Sequence, residues 1–168
     1  MSINVSTLSF EKALALALFA EYDSETIYTK LLGLVQNFVM QDKLKFLIEE
    51  EKKHQRMLES MYRKLFPDNQ LVRPEFKAIP DLVFNVTDKN NVVELLEMAM
   101  QAEKRFEELY DSLSGETDDA SVSQLFHYLS GMEHGHYFLV KGEYELCLEN
   151  EMYYQRDDFE FDMVHIGP

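Results

Sequence analysis

Apolar residues recur along this chain at the three-and-four spacing of helices, not at the alternation of strands, in four long stretches that contain no proline. The first runs from about Ser6 to Val35, with Leu14, Leu18, Glu21, Tyr28 and Leu32 on one face, and either Ser6 or Ser9 can cap it. The second runs from about Asn37 to Leu65 and stops before Pro67. The third starts at Asn91, where Glu94 three residues on completes a capping box, and ends near Gly115. The fourth extends from about Asp118 to Glu151, with Thr117 as its expected cap and Gly131, Gly135 and Gly142 softening it.

Between the second and third stretches, residues 66–89 hold Pro67, Pro74 and Pro80. A link of this length is expected to carry the chain across a bundle, whereas short links join antiparallel neighbours. The pattern therefore predicts an all-α fold over residues 1–151, a four-helix bundle made of two helix pairs. Residues 152–168 are acidic and aromatic, with Phe159, Phe161, Val164 and Ile166 suited to burial. They are expected to pack on the bundle or on a neighbouring subunit.

The apolar faces are broken by polar residues that repeat. Glu21, Tyr28, Glu51 and His54 recur as Glu103, Tyr110, Glu133 and His136, each 82 residues later, which is the mark of a duplicated helix pair. Residues three apart on a helix share a face, so Glu51 with His54, and Glu133 with His136, each present an oxygen and a nitrogen together. Leu47 and Leu58 continue the first of these faces, and Leu129 and Val140 the second, which points both pairs into the core.

Buried carboxylates are costly unless paired or metal-bound. With Glu21 and Glu103 from the other two helices, the set holds four Glu and two His, whose charge two divalent cations cancel. Such ligands suit iron and manganese, and zinc also accepts them. Tyr28 and Tyr110 lie two turns beyond Glu21 and Glu103 and are expected either to orient a ligand by hydrogen bonding or to serve as core. Glu25 and Glu107, also 82 residues apart, are expected to make salt bridges or hydrogen bonds. His127 and His134 are expected to face outward, and Met98 and Met100 to pack. His165 lies in the tail.

Composition narrows the function further. A net charge of −15 sets the chain against phosphate backbones and anionic membranes. The longest apolar run, Ala13 to Ala20, is far below the roughly 20 residues of a membrane span, and the first residues lack a basic signal start, so a cytoplasmic protein is expected. Cys147 is the only cysteine, which leaves any metal to Glu, Asp and His.

Ala20-Glu21 with Tyr28, Glu50-Glu51-Lys52-Lys53-His54, Ala102-Glu103 with Tyr110, and Glu133-His134-Gly135-His136 together resemble the rubrerythrin-type diiron carboxylate proteins of the ferritin-like superfamily. The resemblance covers roughly residues 8–151 and implies a ferritin-like bundle. It implies that Glu51 and Glu133 bridge two irons, that Glu21 and Glu103 are the remaining carboxylate ligands, and that His54 and His136 each bind one iron. Two departures stand out. The cysteine-bearing rubredoxin-like domain is missing, so electrons are expected from a separate donor such as a rubredoxin. Phe106 stands where rubrerythrins tend to carry an extra glutamate one turn after the helix-three ligand.

The activity so implied is reduction of hydrogen peroxide or dioxygen by a nonhaem diiron oxidoreductase, probed against two alternatives: a ferroxidase or iron-handling protein, and a noncatalytic metal-binding bundle. A homodimer is expected.

Overall fold

The computed structural model describes residues 9–73, 91–150 and 152–155. Four helices form among them: α1 (Phe10–Leu34), α2 (Phe38–Leu65), α3 (Val92–Gly115) and α4 (Ala120–Glu149), followed by one 3₁₀ turn at Tyr153–Gln155. The fold is an all-α four-helix bundle. Contact is densest between α3 and α4 and between α1 and α2, thinner between α1 and α3, and thinner still across the α2–α4 seam.

The helix ends follow from local side-chain chemistry. Ser9 caps α1 by accepting the Lys12 N–H, while Ser6 lies outside the described residues. Asn37 accepts from the Met40 N–H at 3.0 Å and starts α2 after a three-residue link. At α3 the capping box is complete: Asn91 Oδ1 accepts the Glu94 N–H at 2.9 Å, and Glu94 Oε2 accepts the Asn91 N–H at 3.2 Å.

The fourth cap differs from expectation. Asp119, not Thr117, is the N-cap of α4, its Oδ1 accepting from the Ser121 and Val122 N–H groups at 2.9 and 3.2 Å. Thr117 Oγ1 instead accepts the Asp119 N–H at 3.2 Å, three residues before the helix begins.

Two apolar clusters fill the bundle. One contains Leu14, Leu18, Leu58, Phe106, Tyr110 and Phe126. The other contains Ile27, Tyr28, Leu31, Leu47, Leu95 and Val140. The repeated Glu and His positions fall between them in every helix: Glu21 between Leu18 and Ile27, Glu51 between Leu47 and Leu58, Glu103 between Ala99 and Phe106, Glu133 between Leu129 and Val140. Phe106 is buried within the first cluster.

After α4 the chain turns back under the α1–α2 link, where the Gln36 and Asn37 N–H groups donate to the Tyr154 carbonyl at 2.7 and 3.1 Å. Residues 156–168 of the expected strap, with His165, lie outside the described residues, as do residues 74–90 of the crossover. No described helix is long and apolar enough to cross a membrane.

Candidate metal centre

Each helix delivers its repeated residues from the same level of the bundle. Glu21 comes from α1, Glu51 and His54 from α2, Glu103 from α3, and Glu133 and His136 from α4. All six are buried, the four glutamates fully so. The His54 and His136 rings stack across the α2–α4 seam with centroids 5.4 Å apart.

The carboxylates divide by reach. Glu133 approaches both imidazoles, at 2.9 Å from His54 Nδ1 and 3.3 Å from His136 Nδ1. Glu51 also approaches both, at 3.8 and 3.4 Å. Glu21 lies 3.5 Å from His54 Nδ1 and Glu103 lies 3.7 Å from His136 Nδ1, one carboxylate for each ring. Ligand atoms of Glu51, His54, Glu133 and His136 all fall within 4.8 Å of one another.

These atoms are near one another without being aligned for hydrogen bonding. Both oxygens of Glu51 and Glu133, one of Glu21 and of Glu103, and both ring nitrogens of His54 and His136 are buried with no hydrogen-bond partner. Buried polar groups in folded proteins are almost always satisfied, so a cluster of orphans converging on one place needs another occupant. Oxygen and imidazole donors with acidic charge are the donor set of a divalent transition metal, and the six residues fit that group.

Electrostatics point the same way. Burial, then the nearby Glu21 carboxylate, pushes the Glu51 carboxyl well above its usual range. Burial, then Glu133, does the same to Glu103. At His54 burial works against the charge, but Glu133 and Glu21 outweigh it and lift the imidazole to about 10. His136 is likewise raised, with burial overcome by Glu103, Glu133 and Glu51. Burial acts to raise Glu133, yet His136 and His54 hold it below the usual carboxylate range. Without metal, protons take the place of cations, and a metal entering this site displaces them.

The tyrosines of the repeat cross between helices. The Tyr28 hydroxyl donates to Glu103 Oε1, and the Tyr110 hydroxyl donates to Glu21 Oε1. Each therefore holds the carboxylate of the other half. Both phenols are pushed well above their usual range, by burial first and then by Glu103 for Tyr28 and Glu21 for Tyr110.

Other acidic and histidine positions fall outside the cluster. Glu25 accepts from Gln55 Nε2 at 2.8 Å, and Glu107 pairs with Lys104 at 2.9 Å and with His134 Nδ1 at 3.0 Å. His127 and His134 are exposed, and Met98 and Met100 pack against the second apolar cluster. Sequence reasoning passed over Glu143, which is buried and paired with Lys43 and with the Tyr153 hydroxyl. Its signal was its place seven residues after His136, on the same face. Phe46 was also passed over: its ring stands edge-on to His136 at 6.4 Å while 49% exposed.

A family model described as rubrerythrin matches residues 12–144. The chain belongs to the rubrerythrin family. Among solved structures it is similar to hypothetical protein Pfu-1136390-001 from Pyrococcus furiosus, with 29% identity and a TM-score of 0.75 over 87% of this chain and 94% of that one. No curated protein matches. Family membership and the buried Glu/His cluster together support metal binding in this rubrerythrin-family bundle.

Proposed function

We propose that this rubrerythrin-family chain is a nonhaem diiron oxidoreductase that reduces hydrogen peroxide or dioxygen with electrons from a separate donor such as a rubredoxin. The observation that carries the reading is the convergence of buried oxygen and nitrogen atoms from six side chains, most of them without a hydrogen-bond partner. Glu51 and Glu133, each within reach of both imidazoles, would bridge the two ions. Glu21 and His54 would complete one coordination sphere, Glu103 and His136 the other.

A ferrous pair held by these six residues would supply the two electrons that, with two protons, take hydrogen peroxide to two waters. The protein's own part is to fix ligand positions before the reaction. Tyr110 and Tyr28 restrain Glu21 and Glu103 through their hydroxyls, and the apolar clusters on either side keep bulk water away from the carboxylates. Exposed Phe38, Phe46, Phe138 and Leu148 support a homodimer.

The test is anaerobic loading with two ferrous ions per chain, then stopped-flow mixing with hydrogen peroxide or with dioxygen while near-ultraviolet ferric absorption is followed. A faster response to peroxide is expected. A faster response to dioxygen would favour ferroxidase chemistry. Two bound ions without any band would overturn the redox reading and leave a manganese, zinc or noncatalytic metal site.

A further inference from the structure

We infer that the groove between the C-terminal half of α2 and the N-terminal half of α4 is the docking surface for an acidic one-electron carrier protein. The inference rests on the peroxide-reducing reading above. It starts from the thinness of the α2–α4 seam, which is packed far more loosely than the α1–α2 and α3–α4 pairs. There a groove of about 650 Å³ opens over Met57, Met61, Leu65, Val122 and Leu125.

The groove's charge runs against that of the molecule. Acids outnumber bases 31 to 16 in the chain, yet among the described residues the groove is lined by Lys53, Arg56 and Lys64 and by no acidic side chain. Lys53 is held by Glu50, so Arg56 and Lys64, both exposed, set the sign of the surface. Charge of one sign beside low-dielectric walls concentrates the field and selects an oppositely charged partner. An apolar floor with a charged rim is the anatomy of a protein interface. An acidic partner approaching this molecule is repelled by most of its surface, and this groove orients it.

Position gives the surface its purpose. Lys53 and Arg56 flank His54, and Met57 lies three residues after it, about 4.5 Å further along the helix axis. Met57 packs against the same apolar cluster as Leu58. The groove therefore opens about one helical turn along α2 from His54, beside the metal centre to which a carrier would deliver its electrons. Reduction of one peroxide consumes two electrons and two protons, so two reduced carriers dock in turn and each leaves oxidised by one electron.

The probe is zinc-substituted rubredoxin, which keeps the carrier's acidic surface and removes its redox chemistry. Its binding to the full chain is measured by calorimetry and by amide chemical-shift changes at low salt. Wild-type protein is expected to bind, with affinity falling as salt rises. Arg56→Glu with Lys64→Glu is expected to weaken binding about tenfold or more through reversed rim charge. The milder Arg56→Gln with Lys64→Gln should fall between. Peroxide oxidation of the ferrous-loaded protein, and its re-reduction by dithionite, should be equal in all three. Absent binding by wild type, or equal binding by the variants, overturns the docking surface. Charge-dependent binding without any peroxide oxidation overturns the electron-delivery role while leaving the surface mapped. Loss of a dimer on charge reversal, with no rubredoxin bound, assigns the groove to a second copy and also overturns the inference.

Discussion

The tyrosines show how one hydroxyl can govern a carboxylate it is far from in sequence. Replacing Tyr28 or Tyr110 with Phe keeps the ring in the core but leaves Glu103 or Glu21 without its donor. Loss of one partner of a buried hydrogen bond costs about 1–3 kcal/mol. Removal of a group that orients a metal ligand lowers affinity about 10–100-fold. Urea unfolding of the metal-free protein and calorimetric titration with Mn²⁺ should show both, and unchanged values in the two variants would make these tyrosines simple core. The repeat placed both rings at the right level of the bundle. It was silent on the exchange between halves, which is decided by how α1 packs on α3. Cys147 offers a second residue-scale test. Burial, then Glu143, raises its thiol to about 11 from an ordinary value near 9. The folded protein therefore holds this proton where the unfolded chain releases it, so the thiol's contribution to stability is full below about pH 9 and lost as pH rises through 11. At pH 8 a two-unit difference leaves about a hundredfold less thiolate in the folded protein. Iodoacetamide labelling should be slower by at least about that factor in native protein than in urea, and similar rates would place Cys147 in contact with solvent.

Among the elements, the start of α4 separates what a pattern can choose from what geometry must choose. Glu116-Thr117-Asp118-Asp119-Ala120 offers three residues able to cap a helix. Only Asp119, in extended conformation at φ −79° and ψ 109°, turns its carboxylate onto the first free N–H groups. Asp119→Ala is expected to destabilise the protein by about 1 kcal/mol, and Thr117→Ala by less than about half that. Chemical denaturation of the two variants decides between them, and the reverse order would restore Thr117 as the cap. Asn91 with Glu94 was readable at once because the capping box specifies both partners and their spacing. The helices themselves were equally legible, since apolar spacing and the prolines bound them. The open α2–α4 seam was not, because spacing along one helix carries no measure of its distance from another.

Across the whole molecule, duplication explains both the symmetry of the centre and the places where symmetry fails. The two helix pairs bring equivalent residues to one polar layer between two apolar clusters. Near α4's C-terminal end the halves diverge: Lys43 and Glu143 form an ion pair where the 82-residue offset sets Leu125 and Met61. The metal layer keeps its equivalence, and that yields a prediction about stoichiometry. Glu21 approaches only His54 and Glu103 only His136, whereas Glu51 and Glu133 approach both. Removing an imidazole should therefore cost one ion, and altering a shared carboxylate should weaken two. Calorimetry with Mn²⁺ is expected to give two ions per chain for wild type, one for His54→Ala or His136→Ala, and two weakened sites for Glu51→Gln or Glu133→Gln. Thermal unfolding supplies a second sign. Metal at about a hundred times its dissociation constant adds about 2.7 kcal/mol per site to the folded state. Metal-free Glu51→Gln should be no less stable than metal-free wild type, because a carboxyl disfavoured by burial and by Glu21 has become a neutral amide. The same variant should gain less from Mn²⁺ than wild type does. If Glu51→Gln instead lost one ion and left the other at full affinity, Glu51 would serve a single metal, and the two halves would hold their ions independently.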